Sequence, residues 1–199
     1  MTDVVPDNSN RIAFLIGQVF HPAVIPVPTL ILVLDNLAFP DLIGWTTLVA
    51  VIVLIPGLLT MAYLRQRERY AYQQRTRGPI YVVVWLSIVF CLLVVLGLGG
   101  PQELAVCIAT LAVWIPAQLF VNTAFTKIST HVAVAAGCAT GLLVLGKLDT
   151  TLAQIVAVLV VVLTSWARVT TKNHTLLQVV LGFVVGAGSV LLMFPLFLG

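Results

Sequence analysis

Residues 79–99 read PIYVVVWLSIVFCLLVVLGLG, with no charged side chain between Arg77 and Glu103. A run of about 20 apolar residues is what an α-helix needs to cross the hydrocarbon core of a bilayer, and a soluble domain has no use for one so long and so uniform. Outward from this stretch the pattern repeats. Apolar runs bounded by charge or by proline and glycine fall at 11–35, 42–64, 79–99, 103–124, 128–146, 150–168 and 174–198. Of the 199 residues, 60% are apolar and 9% charged, and the mean hydropathy is +1.11. Soluble domains run to roughly half apolar and a quarter charged, so a soluble enzyme and a disordered chain are both excluded.

The expected fold is an all-α polytopic membrane helix bundle of about seven transmembrane helices. Residues 1–10 form a polar N-terminal tail without the basic n-region and cleavage site of a signal peptide, and 11–199 form a single transmembrane domain. Gln18, His21, Pro22, Pro26 and Pro28 interrupt the first run, which makes a kinked or partly re-entrant segment the alternative to a straight span there. Cys91, Cys107 and Cys138 lie in apolar runs without paired spacing and read as small buried hydrophobes.

Charge sets the orientation. With seven spans, Arg11 and the loops after the second, fourth and sixth share one face, which carries nine of the ten basic residues. The other face has Lys147 among Asp35, Asp41, Glu103 and Asp149. The positive-inside bias therefore predicts a cytoplasmic N-terminus in an integral membrane protein. The net charge of +3 is accounted for by this asymmetry and by anionic headgroups, with no role for nucleic acid.

Two segments on the basic face concentrate polar chemistry. Lys127-Ile128-Ser129-Thr130-His131 opens the fifth run, where unpaired backbone N–H groups and the positive dipole end favour an anion. Arg168 and His174 flank the turn between the sixth and seventh runs, and Gln178 lies on the His174 face four residues on. Arginine offers forked donors to phosphate oxygens, and a neutral imidazole can attack phosphorus or move protons near pH 7. No acidic or cysteine cluster suggests a metal, and no cofactor is expected.

Lys127, Ser129, Thr130 and His131 resemble the Ser-Gly-His motif of the type 2 phosphatidic acid phosphatase superfamily, and Arg168-x5-His174 has the spacing of that family's third motif. The resemblance is strongest over 127–188 and implies a phosphatidic acid phosphatase-like core. It implies His174 as the nucleophile that forms a phosphohistidine, His131 as the general acid, and Arg168, Lys127, Ser129 and Thr130 as phosphate-binding groups, without metal. Gln178 stands where the family has Asp, Thr130 where it has Gly, Ile128 where it has Pro and Ala167 where it has Ser. The sequence His-Thr-Leu-Leu-Gln-Val is similar to a variant of small bacterial and archaeal members. The first motif has no clean counterpart, and Arg75 and Arg77, in Arg75-Thr76-Arg77-Gly78-Pro79, are its candidates.

The implied activity is hydrolysis of a lipid phosphate or prenyl diphosphate, with the site on the cytoplasmic face. A membrane terpene cyclase or other prenyl-diphosphate-processing enzyme on the same scaffold is one alternative, although the magnesium-binding Asp-rich motif is missing. A non-catalytic lipid-phosphate binder or transporter is the other, favoured by Gln178 and the broken first motif. For His131 and His174 taken singly the ordinary reading is an interfacial histidine, and for Arg75 and Arg77 a headgroup anchor. His21 reads as a polar group at a kink, and Gly182-x3-Gly186 as a small-residue packing face.

Overall fold

The computed structural model describes residues 8–66 and 78–198, and every regular element among them is helical. The helices are α1 (Asn8–Val19), α2 (Pro26–Val33), α3 (Phe39–Val49), α4 (Ile55–Gln66), α5 (Gly78–Gly97), α6 (Gln102–Ala124), α7 (Thr130–Val144), α8 (Thr151–Thr170) and α9 (Leu176–Leu198). A π-helical segment, Ala50–Leu54, joins α3 to α4. Among the described residues five helical stretches are long and apolar enough to cross a membrane: Phe39–Thr60, Ile80–Gly97, α6, α8 and α9. Large apolar side chains such as Leu93, Val158 and Leu192 face outward, as they do in a protein whose solvent is lipid.

Two of the seven apolar runs depart from a single long helix. The run at 11–35 is split into helices of 12 and 8 residues. Pro22 and Pro26 have no N–H to continue a helical ladder. In the break the His21 ring accepts a hydrogen bond from the Ala23 N–H at 3.2 Å, and the His21 carbonyl accepts from Val24 and Ile25. The run at 128–146 yields a helix of 15 residues, α7, because Ser129 caps its start and Gly146, at φ +68°, turns the chain after its end. At about 1.5 Å per residue α7 is roughly 22 Å long, short of a 30 Å hydrocarbon core on its own.

The π segment has a similar local cause. Pro56 lies two residues beyond its end, and a proline ring collides with the carbonyl four residues back, here that of Ile52 within the segment, in a regular α-helix. A locally wider turn at Ala50–Leu54 relieves that collision.

Packing around α7 positions the rest. α7 and α9 lie side by side and parallel: Ser129 meets Gly182, Ala133 meets Gly186, and Gly141 meets Phe194. A Cβ at Gly182 would sit 2.6 Å from the Ser129 carbonyl oxygen, and one at Gly186 would overlap the Ala133 carbonyl. Without a hydrophobic drive between helices in lipid, such backbone contact is how two packed helices gain dispersion energy. α1 reaches the bundle through its own small residues, with Ala13 and Gly17 buried one turn apart and Gly17 against the Arg168 guanidinium.

Candidate functional site

Where α9 begins, Thr175 and Gln178 form a reciprocal cap. The Thr175 hydroxyl accepts from the Gln178 N–H at 3.4 Å, and Gln178 Oε1 accepts from the Thr175 N–H at 3.2 Å. This is a capping box, with threonine as N-cap and glutamine three residues on. A backbone N–H can only donate, so the atom facing it is the amide oxygen. The same Oε1 lies 3.1 Å from His174 Nδ1, which therefore carries the hydrogen. In the neutral ring the lone pair is then on Nε2. The other end of the amide, Nε2 of Gln178, donates to Thr126 Oγ1 at 3.1 Å.

Arg168 reaches the site from the last turn of α8, where its charge suits the negative helix end. The chain reverses over Thr171 to Asn173, with Lys172 in the left-handed region at φ +55° and the His174 N–H donating to the Arg168 carbonyl at 3.2 Å. A lysine in that conformation is held at a cost of about 1 kcal/mol, which glycine would not incur. The turn is what turns a five-residue spacing into spatial proximity between Arg168 and His174.

The loop before α7 is clamped from two sides. Asn122 of α6 accepts the Ile128 N–H through Oδ1 at 2.8 Å, and the Gln178 main-chain carbonyl accepts the Ser129 N–H at 3.1 Å. Gln118, one turn before Asn122, donates to the Thr130 hydroxyl and to the Tyr81 hydroxyl, and Asn122 also donates to Tyr81. His131 follows, its ring edge-on to that of His21 with centroids 5.2 Å apart. Arg168 lies within electrostatic reach of His21, His131 and His174 together.

Burial lowers the pKa of His174 to about 4, and the Arg168 and Lys127 charges push it the same way against hydrogen bonds to Gln178 and to the Lys127 main chain. The ring is neutral at physiological pH.

The structure thus brings His174, Gln178, Arg168, Lys127 and His131 to one end of the bundle. Ser129 and Thr130 are there too, with their hydroxyls already engaged: Ser129 Oγ accepts the Val132 N–H at 3.5 Å in its capping role, and Thr130 Oγ1 accepts from Gln118. Arg75 and Arg77 lie outside the described residues. Four participants escaped the sequence reading: Thr126, Asn122, Gln118 and His21 as a neighbour of His131. Gln118 and Asn122 carried a legible signal, since amides inside an otherwise apolar span are costly and seek partners. Thr126 carried none.

Among the described residues no three or more His, Cys, Asp or Glu side chains converge in a way that would hold a metal ion. The described acids, Asp35, Asp41, Glu103 and Asp149, belong to the opposite helix ends. Compared with protein-family models, curated proteins and solved structures, the chain has no match.

Proposed function

We propose that this helical membrane protein is a metal-independent phosphatase of the phosphatidic acid phosphatase type, acting on a lipid phosphate or prenyl diphosphate from the cytoplasmic face. The observation that carries the reading is the Gln178 amide, whose polarity the Thr175 N–H fixes and which thereby holds His174 as the Nδ1–H tautomer. Nε2 of that ring attacks phosphorus, and the bond from phosphorus to the lipid oxygen breaks. His131, which gains affinity for a proton when a phosphate dianion arrives, passes that proton to the leaving oxygen. Water then attacks the phosphohistidine with His131 taking its proton, which releases inorganic phosphate and restores both rings.

Arg168 and Lys127 supply positive charge to the phosphate oxygens throughout. Gln178 orients the imidazole and cannot neutralise it, which makes this a slower arrangement than a histidine backed by a carboxylate.

The test is phosphate release from prenyl and glycerolipid phosphates by the purified protein, with trapping of acid-labile phosphohistidine. Release and trapping in the parent, both lost in His174→Ala, are expected. Retained release in His174→Ala removes the nucleophile assignment. Tight binding of a lipid phosphate without release replaces hydrolysis by the binder reading, and a cyclised hydrocarbon among the products replaces it by the cyclase reading.

A further inference from the structure

Below the histidines the bundle lines a partly open apolar cavity of about 300 Å³. One end is marked by Pro22, next to His21, and by Ala133, two residues after His131. The other is marked by Val33, Leu142 and Phe194. From Ala133 to Leu142 along α7 is nine residues, or about 14 Å of helix. The π segment contributes Ala50, Val53 and Leu54 to the wall, so the widened turn forced by Pro56 faces this space.

We propose that the cavity is the binding tunnel for the chain of the substrate, and that it selects one short prenyl chain over the paired acyl chains of a glycerolipid. The inference rests on the phosphatase reading for the position of the phosphate, at the His21 and His131 end. At the packing density of protein interiors 300 Å³ accommodates about ten to fifteen carbons. Two long acyl chains carry roughly twice that number or more, so the cavity is too small for both.

Two polar atoms of the wall favour an unsaturated chain. Trp114 Nε1 and Thr46 Oγ1 are buried without a hydrogen-bond partner. A double bond offers such donors a π face, which a saturated chain does not.

The depth is set at Gly141 and Phe194. A Cβ at Gly141 would stand 3.5 Å from the tip of the Phe194 ring, in ordinary contact, so any larger side chain there projects into the tunnel end. Phe194 is itself fully buried and acts as the floor.

The experiment measures binding of the free alcohols geraniol, farnesol and geranylgeraniol, and of saturated hexahydrofarnesol, to the full-length protein in detergent by tryptophan quenching. Phosphate release from the matching monophosphates and from dioleoyl phosphatidic acid is measured in parallel. Binding should peak at geraniol or farnesol, and Trp114→Phe should erase both the quench and the preference for farnesol over its saturated analogue. Gly141→Leu should weaken farnesol by about tenfold while sparing geraniol, and Phe194→Ala, made on the opposite helix, should move the optimum towards geranylgeraniol.

Equal binding at all lengths in the parent overturns the tunnel. So does an unchanged optimum in a folded Gly141→Leu or Phe194→Ala protein. A length optimum without phosphate release from any substrate leaves the tunnel standing and removes the phosphatase. Equal release from phosphatidic acid and farnesyl phosphate leaves the phosphatase standing and removes the tunnel.

Discussion

The two ends of the bundle handle charge in opposite ways. At the end where α2 and α7 finish, Lys147 meets Asp35 directly, and Glu103, Asp41 and Asp149 sit at neighbouring helix ends. At the end where α8 finishes and α9 begins, Arg168 faces three histidines, and the residues that fix their positions are amides and hydroxyls: Gln178, Asn122, Gln118 and Thr126. An ion pair is self-contained and needs no ligand. A cation surrounded by neutral, oriented groups is an arrangement suited to an arriving anion, and this difference separates the two ends more sharply than the count of basic residues does.

The contrast depends on α7 and α9 being in register, so the largest expected effect is at their contact. Gly186→Ala pushes a methyl into the Ala133 carbonyl, and we expect a loss of about 3 kcal/mol or more, read as a fall in thermal midpoint in detergent. Gly188→Ala, whose new Cβ meets nothing within 4 Å, should stay within about 0.5 kcal/mol. Equal behaviour of the two would mean that the glycine contact does not hold the site together.

Next in size is Arg168→Lys, which keeps the charge and removes the fork. Under the phosphatase reading it should lower phosphate release by about 10²- to 10³-fold with the thermal midpoint little changed. Full activity would detach Arg168 from the substrate.

The third effect is a pH dependence of stability. His174 has its pKa lowered from 6.5 to about 4 in the folded protein, so between those values the unfolded chain binds a proton that the native site refuses. Stability contributed by keeping this ring neutral is therefore present above pH 6.5 and falls as the pH drops toward 4. Gln178→Glu retains an oxygen for the Thr175 N–H and His174 and adds a negative charge, so it should raise the His174 pKa and shrink that window from its acid side. A titration of the histidine ring signals by NMR checks both statements, and an unmoved His174 signal in Gln178→Glu would break the link between them.

The smallest effect belongs to the other end. The Asp35 side chain is 53% exposed, so Lys147→Ala or Asp35→Ala should cost no more than about 1 kcal/mol and leave phosphate release unchanged. A loss of activity there comparable with that of Arg168→Lys would erase the distinction between the ends.

Much of the architecture follows from composition and spacing alone. Apolar runs of span length require helices in lipid because no water is present to satisfy the backbone, and the positions of Pro22 and Pro26 require the break between α1 and α2. The pairing of His174 with Gln178 is equally local, since residues four apart share a helical face. Only the tertiary structure decided what Gly182 and Gly186 do. The sequence marked them as a packing face, and the fold shows that this face lies against the Ser129 and Ala133 carbonyls and so sets the Lys127–His131 segment beside the start of α9. Thr126, Asn122 and His21 joined the site in the same way, from segments distant along the chain, because contacts across helices depend on register and rotation, and neither is written in the periodicity of one helix.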